Sequence, residues 1–192
     1  MCELKRILRL TLISCLLFSS NLAYSGVKEY PILKVDYGPS TTFKTGTVGK
    51  INIPLDELTN AKIAVLDGLV IIFDDGSNLS METLTDIALG FQGVDMRTWP
   101  KYLLGIQNAG PEPEDYKSEL QQSKEHIIDT EVSAYEIRTF PTEQGIGYWA
   151  IGPKKSVIVF TSSVIEDQVA LLFAENMDEQ QIKKIIINGT LR

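Results

Sequence analysis

Alternating apolar and polar residues predict β-strands in the first half of the chain. Apolar side chains at Leu33, Val35 and Tyr37 alternate with polar ones, a pattern that is typical of a half-buried strand. Asp67 and Gly68 stand between two β-prone runs and favour the positive φ angles of a hairpin turn. The predicted strands of this half are residues 33–37, 51–53, 63–66 and 69–73, and Asp74-Asp75-Gly76-Ser77 is predicted to end the last one.

The middle of the chain has the three- and four-residue spacing of helices. Ser80 is a suitable N-cap for a helix over residues 80–91, whose apolar positions fall on one face. A second helix is predicted to begin at Thr98-Trp99-Pro100, because proline is tolerated in a first turn. A proline-rich loop over residues 109–115 follows, and residues 115–128 predict a mostly polar helix.

The last third is predicted to be rich in strands. Residues 131–140 and 146–151 read as two strands joined by a turn, and residues 157–160 are apolar on both faces. Such a continuous apolar run is typical of a central strand that is covered on each side. Residues 168–174 fit either a strand or a helix, and their length favours a strand.

The closing helix has the clearest local signals. Asp178 is a good N-cap, Gln181 occupies the capping-box position, and Met177 can pack on Ile182. Asn188-Gly189 is predicted to end this helix. Together these elements predict an α+β fold, with an antiparallel β-sheet packed against helices as a two-layer sandwich and a closing C-terminal amphipathic helix.

The first 25 residues have the layout of a secretory signal peptide. A basic start precedes the apolar run 10–18, and Ala23-Tyr24-Ser25 is a small-x-small cleavage sequence. The run is shorter than the roughly 20 residues of a membrane-spanning helix. We therefore expect cleavage after Ser25, an exported protein that is periplasmic or extracellular, and one globular domain over residues 26–192. No transmembrane segment is expected after cleavage.

A second interpretation of the leader is open. Leu12-Ile13-Ser14-Cys15 resembles the lipobox of bacterial lipoproteins, in which the cysteine becomes the lipidated first residue. The apolar run, however, continues beyond Cys15, and few apolar residues separate it from Arg9. Cleavage after Ser25 is therefore the favoured reading.

Composition narrows the choice of partners. Both cysteines, Cys2 and Cys15, lie in the leader, so we expect a mature protein without disulfides that is stabilised by its core. The leader holds three of the 18 basic and one of the 25 acidic residues, which leaves a net charge of −9. That charge argues against binding to nucleic acid, which needs clustered lysine and arginine. It fits either simple solubility, which is the favoured reading, or binding to a basic protein partner.

The C-terminal third shows one resemblance to a known family. The segment from Tyr135 through Gly147-Tyr148-Trp149, the strand 157–160 and the final helix resemble the second half of PsbP-like domains. These are small secreted or lumenal α+β modules that mostly act as binding or accessory proteins. The resemblance is one of topology and implies no particular functional residue.

No catalytic, cofactor or metal site is predicted. His126 is the single histidine, and no Gly-x-Ser-x-Gly sequence or second imidazole accompanies it. The oxygen-rich stretch 74–78 lacks the ligand spacing of a calcium loop and is typical of a hairpin end. We predict no cofactor.

Partner binding is the remaining expectation. Aromatic residues are enriched at protein interfaces. Adjacent Tyr148 and Trp149 must point to opposite faces of a strand, so one is expected in the core and the other is either covered by a helix or exposed, with burial the favoured reading. The candidate partner-binding residues are Asp74, Asp75, Trp99, Tyr102 and Trp149.

The sequence thus predicts an exported, non-enzymatic protein that binds a macromolecular partner, for example an immunity- or inhibitor-type protein. The alternative is a carboxylate-dependent cell-envelope hydrolase, which needs two acids at a fixed separation, one with a raised pKa. The oligomeric state stays open.

Overall fold

The computed structural model describes residues 27–29, 38–65, 68–106 and 116–190 of the chain. The predicted signal peptide, the predicted strand 33–37 and the predicted loop 109–115 lie outside the described residues. For the closing helix, side chains are described as far as Ile186.

Among the described residues, eight strands form one sheet and two more form a separate hairpin. The strands are β1 (Lys28–Glu29), β2 (Ser40–Thr45), β3 (Gly49–Pro54), β4 (Lys62–Val65), β5 (Leu69–Ile72), β6 (Asn78–Thr85), β7 (Glu136–Pro141), β8 (Ile146–Ile151), β9 (Lys155–Phe160) and β10 (Gln168–Glu175). The sheet order is β1-β7-β8-β9-β10-β6-β5-β4, and β2 pairs with β3. Every strand pair is antiparallel except β1 with β7.

The helices pack on both faces of this sheet. They are α1 (Trp99–Leu103), α2 (Lys117–Ser123), the π-helix (Lys124–Val132) that continues α2, and α3 (Glu179–Thr190). The first core lies between one face of the sheet, the β2–β3 hairpin and α3. The second core lies between the other face and α1, α2 and the π-helix.

Alternation along the central strands supplies both cores. In β8 the side chain of Trp149 lies in the first core and that of Tyr148 in the second, as the period of two requires. In β9, Ile158 and Val157 divide in the same way. The predicted α+β class, the antiparallel sheet with helices against it and the closing helix are confirmed. Helices also pack on the second face of the sheet, in addition to the single helical layer of the predicted two-layer sandwich.

The predicted helix over residues 80–91 is wrong. Residues 78–85 form β6, which pairs with β5 on one side and with β10 on the other. Leu79 and Met81, two residues apart, are buried in the first core, and Leu84 packs against the second, as the alternation of a strand requires. A turn follows, in which the Asp86 carboxylate accepts hydrogen bonds from the backbone N–H groups of Ile87 (2.7 Å) and Gly93 (2.8 Å).

Two predicted boundaries are also wrong. The strand expected from residue 131 begins at Glu136, because the π-helix extends to Val132 and ends at Ser133, whose φ is 51°. The closing helix continues through Asn188-Gly189 to Thr190. A strand at residues 168–175 settles the helix-or-strand alternative.

Other local predictions are confirmed. The β4–β5 hairpin pairs Val65 with Leu69, and the central strand β9 is buried on both faces. The capping box of α3 is present, with the Gln181 N–H donating to Asp178 Oδ1 at 2.8 Å and the Asp178 N–H donating to Gln181 Oε1 at 2.9 Å. Met177 packs against the first core beside this helix start.

Candidate binding surface at the edge of the sheet

Strand β4 forms an open edge of the large sheet. Among the described strands it pairs with β5 alone, and each of its four residues is exposed. Ile63 is 49% exposed and Val65 is 75% exposed, and Ile72 of the neighbouring strand is 45% exposed. We call β4 together with Ile72 the β4 edge.

Loss of cover explains why these apolar side chains are exposed. Ile63 pairs with Ile71 and Val65 pairs with Leu69, and both β5 partners are buried in the first core. The first core therefore ends one strand before the sheet does. On the other face, no described residue of β4 or β5 belongs to the second core, so Ile72 is uncovered there.

Two acidic turns lie at one end of the β4–β5 pair. Lys62 pairs with Ile72, so the turn before β4 (residues 55–60) and the turn after β5 (residues 73–77) leave the same end of the hairpin. Both turns are rich in carboxylates. Their acidic residues are Asp56, Glu57, Asp74 and Asp75.

Helix α3 fixes both acidic turns. Lys184 forms an ion pair with Glu57, and Gln181 donates a hydrogen bond to Asp75 Oδ2 at 3.0 Å. The Ser77 hydroxyl (2.6 Å) and backbone N–H (2.9 Å) also donate to Asp75. These hydrogen bonds, those from Ser77 first, lower the pKa of Asp75 and keep it ionised.

Asp56 and Asp74 are exposed, and neither forms an ion pair with another described residue. Against the four carboxylates of the two turns, β4 brings Lys62 to this end and α3 brings the paired Lys184. The end of the β4 edge therefore carries more negative than positive charge.

The opposite edge of the sheet carries paired charges. Lys28 of β1 lies 3.0 Å from Glu136, and Arg138 of β7 contacts Glu136 (2.9 Å) and Glu179 of α3 (2.7 Å). The Arg138 guanidinium also lies 5.2 Å from the ring centre of Trp149. Hydrogen bonds from Arg138 and then Lys183 lower the pKa of Glu179 to about 2.

The structure separates the candidate residues of the sequence analysis. Asp74 and Asp75 are exposed beside the β4 edge. Trp99 (0% exposed) and Trp149 (1%) lie in the second and first cores, so neither can present its ring to a partner, and this part of the expectation is corrected. Tyr102 is half-buried against the second core.

Sequence reasoning missed the three large apolar residues of the β4 edge, Ile63, Val65 and Ile72. The sequence predicts ordinary hairpin strands at residues 63–66 and 69–73, and exposure depends on whether another strand lies beyond β4. The available signal was weak: β4 has one charged residue, Lys62, and no proline, whereas edge strands are usually protected by such residues.

Other described surfaces give less evidence of a functional site. A small cleft lies between the β2–β3 turn and the β7–β8 turn, and the ion pair of Lys50 with Glu143 (3.6 Å) lies in its wall. His126 is exposed on the π-helix, 3.2 Å from Glu131. Within the described residues no group of acidic, histidine or cysteine side chains could hold a metal ion.

Comparison with protein-family models, curated proteins and solved structures finds no match to this chain. Its function is therefore inferred from its own residues. Across the described ranges, no helix has both the length and the apolar character needed to cross a bilayer.

Proposed function

We propose that the chain is an exported protein that acts by binding another protein through the β4 edge. The observation that supports this is the exposed edge strand with Ile63, Val65 and Ile72 around it. A sheet edge offers backbone N–H and C=O groups to another chain, and natural proteins usually block such edges. An apolar patch at an unblocked edge favours a role in binding.

The leader supports export of the protein, and the acidic charge agrees with a basic partner. Residues 1–25 favour export, and residues 26–192 are proposed to form the mature domain. An immunity- or inhibitor-type protein that blocks a toxin or an enzyme is the version we favour, because such proteins act by surface contact alone. The PsbP-like resemblance of the last third, which we retain as a proposal, agrees with an accessory role.

The hydrolase alternative has no supporting observation among the described residues. A general acid needs a carboxyl group whose pKa is raised. Every described carboxylate with a shifted pKa is shifted downward, because each accepts hydrogen bonds. These residues are Asp75, Asp95, Glu136 and Glu179.

Affinity capture from a cell-envelope extract tests the proposed function. The baits are the wild-type chain, an edge variant with Ile63→Lys and Val65→Lys, and a control variant with Ile87→Lys and Val164→Lys. The control residues are 72% and 81% exposed, so both variants add the same charge to exposed apolar positions.

We expect the wild-type and control baits to retain one partner protein and the edge variant to lose it. Circular dichroism confirms that each bait is folded. Retention of no protein by the folded wild-type bait at low salt would contradict protein binding. Equal retention by the edge and control variants would show that the β4 edge is not the contact surface.

A further inference from the structure

We infer that the β4 edge receives an extended, basic segment of the partner protein, which adds to the sheet as a further strand beyond β4. This inference rests on the proposed function and specifies its partner and its binding mode. Strand addition is an established way for a sheet edge to recognise a peptide. Three independent features of the edge favour it here: its backbone, its side chains and its charge.

The backbone of β4 is available for pairing. In an antiparallel pair, every second residue directs its N–H and C=O groups away from its partner strand. Since β4 pairs only with β5 among the described strands, those groups face outward. β4 has regular strand pairing along its length with β5, and its sequence contains no proline or glycine.

Apolar side chains flank the edge on both faces of the sheet. Ile63 and Val65 lie on the face of the first core, since they pair with Ile71 and Leu69. Ala64 and Ile72 lie on the other face. An added strand would place its alternate side chains beside these groups and cover apolar surface that is now exposed. The incoming segment should therefore contain apolar residues at alternate positions.

Charge selects a basic segment. Asp56 and Asp74 are exposed at the Lys62 end of β4 without an ion-pair partner among the described residues. Hydrogen bonds keep the nearby Asp75 ionised. A lysine or arginine that extends past this end of β4 would meet carboxylates, which favours its association and orients the segment.

The same charge argues against a second copy of this chain as the occupant. The chain carries a formal net charge of −7, and each copy would bring its own acidic turns to the junction. Like charges across an interface oppose association. The occupant is therefore a segment of another protein with positive charge.

Binding of synthetic peptides to the complete chain tests this inference. Each peptide has about eight residues, the length of an ordinary strand, and carries a fluorophore. One alternates lysine with valine, a second alternates glutamate with valine, and a third is the lysine–valine peptide with two central prolines. Fluorescence anisotropy measures the dissociation constant of each peptide.

We expect the lysine–valine peptide to bind at least about tenfold more tightly than the other two. Ile63→Lys with Val65→Lys should abolish that preference, and Ile87→Lys with Val164→Lys should preserve it. Asp74→Asn should weaken binding about two- to threefold, while the matched change Asp129→Asn on the π-helix should have less effect. Equal binding of the proline peptide would overturn strand addition, and equal binding of the glutamate peptide would overturn the charge selection.

Sedimentation equilibrium provides the second test. A wild-type dimer that the edge variant cannot form would show that a second copy occupies the edge, and it would overturn the inference. A monomer agrees with the inference. If capture detects an edge-dependent partner but no peptide is preferred, the proposed function stands and strand addition fails. If the lysine–valine peptide is preferred but no partner is captured, the proposed function fails.

Discussion

The two edges of the eight-stranded sheet contrast in how they end. At the edge formed by β1 and β7, which we call the β7 edge, β1 adds a short charged strand, and Arg138 joins Glu136, Glu179 and Trp149 in one cluster. At the β4 edge, apolar side chains face solvent and the outermost strand has no described neighbour beyond it. The first arrangement places charged side chains at the edge, which oppose further pairing, and the second places apolar side chains there, which favour it. One sheet thus has an edge suited to stability and an edge suited to recognition.

Helix α3 is connected to both edges. Its Glu179 contacts Arg138 of the β7 edge, and its Gln181 and Lys184 contact the acidic turns beside the β4 edge. The apolar side of the helix, which includes Ile182 and Ile185, is buried in the first core. The position of the acidic turns therefore depends on a helix that the core and the charged cluster hold in place.

The largest contrast should come from truncating a buried apolar residue beneath the Arg138 cluster and an exposed one at the β4 edge. Trp149→Ala should lower the free energy of unfolding by about 3–5 kcal/mol, because it leaves a cavity in the first core and removes the ring under Arg138. Val65→Ala should change it by less than about 0.5 kcal/mol, because Val65 is exposed. Urea unfolding measures both. Similar losses of stability in the two variants would mean that Trp149 and Val65 do not differ in burial as described.

A second contrast concerns the basic residues. Arg138→Met should lower the free energy of unfolding by about 2 kcal/mol, since Glu136 and Glu179 lose their shared partner in a partly buried site. Arg138→Lys should restore part of this loss, and Lys62→Met should have almost no effect. If Arg138→Met proves as mild as Lys62→Met, the charged cluster does not stabilise the β7 edge.

Helix capping should have an effect of intermediate size that reaches both edges. Asp178→Ala removes the side chain that accepts from the Gln181 N–H and should cost about 1 kcal/mol. Because Gln181 also contacts Asp75, peptide binding at the β4 edge should weaken along with stability. Asp129→Ala, on the π-helix, is the control. Loss of stability with unchanged peptide binding would show that α3 does not position the acidic turns.

Acid should weaken the charged cluster around Arg138. The pKa of Glu179 falls from an ordinary 4.5 to about 2 in the folded chain, so its contribution is present above pH 4.5 and is lost as the pH falls toward 2. Unfolding measured at pH 7, 4 and 2.5 should show a smaller acid-induced loss for Glu179→Gln than for the wild type. Identical pH profiles would contradict this role of Glu179.

Features that depend on residues close in the chain could be predicted from the sequence. Which strands lie next to each other in the sheet could not. The capping box of α3 and the turn at residues 74–77 depend on residues close in the chain, so composition and spacing predict them. The helix expected over residues 80–91 failed because β6 lies between two strands from distant parts of the chain. Tertiary pairing there outweighed a coincidental helical spacing.

The same distinction between local sequence signals and tertiary contacts applies to the candidate site. Asp74 and Asp75 were identified because acidic residues beside glycine mark an exposed turn. Trp99 and Trp149 were expected as partner-binding residues, yet each is covered by elements remote in sequence. Conversely, Ile63 and Val65 resemble ordinary strand residues, and only the strand order shows that nothing described lies beyond them.

Amide hydrogen exchange on the complete chain, with and without the lysine–valine peptide, tests the central claim most directly. For the chain alone we expect rapid exchange in β4 and slow exchange in β7 and β8, which are paired and buried. With the peptide, exchange in β4 should slow about tenfold or more while β7 stays unchanged. Unchanged exchange in β4 when the peptide is bound, or protection at β7 instead, would contradict recognition at the β4 edge.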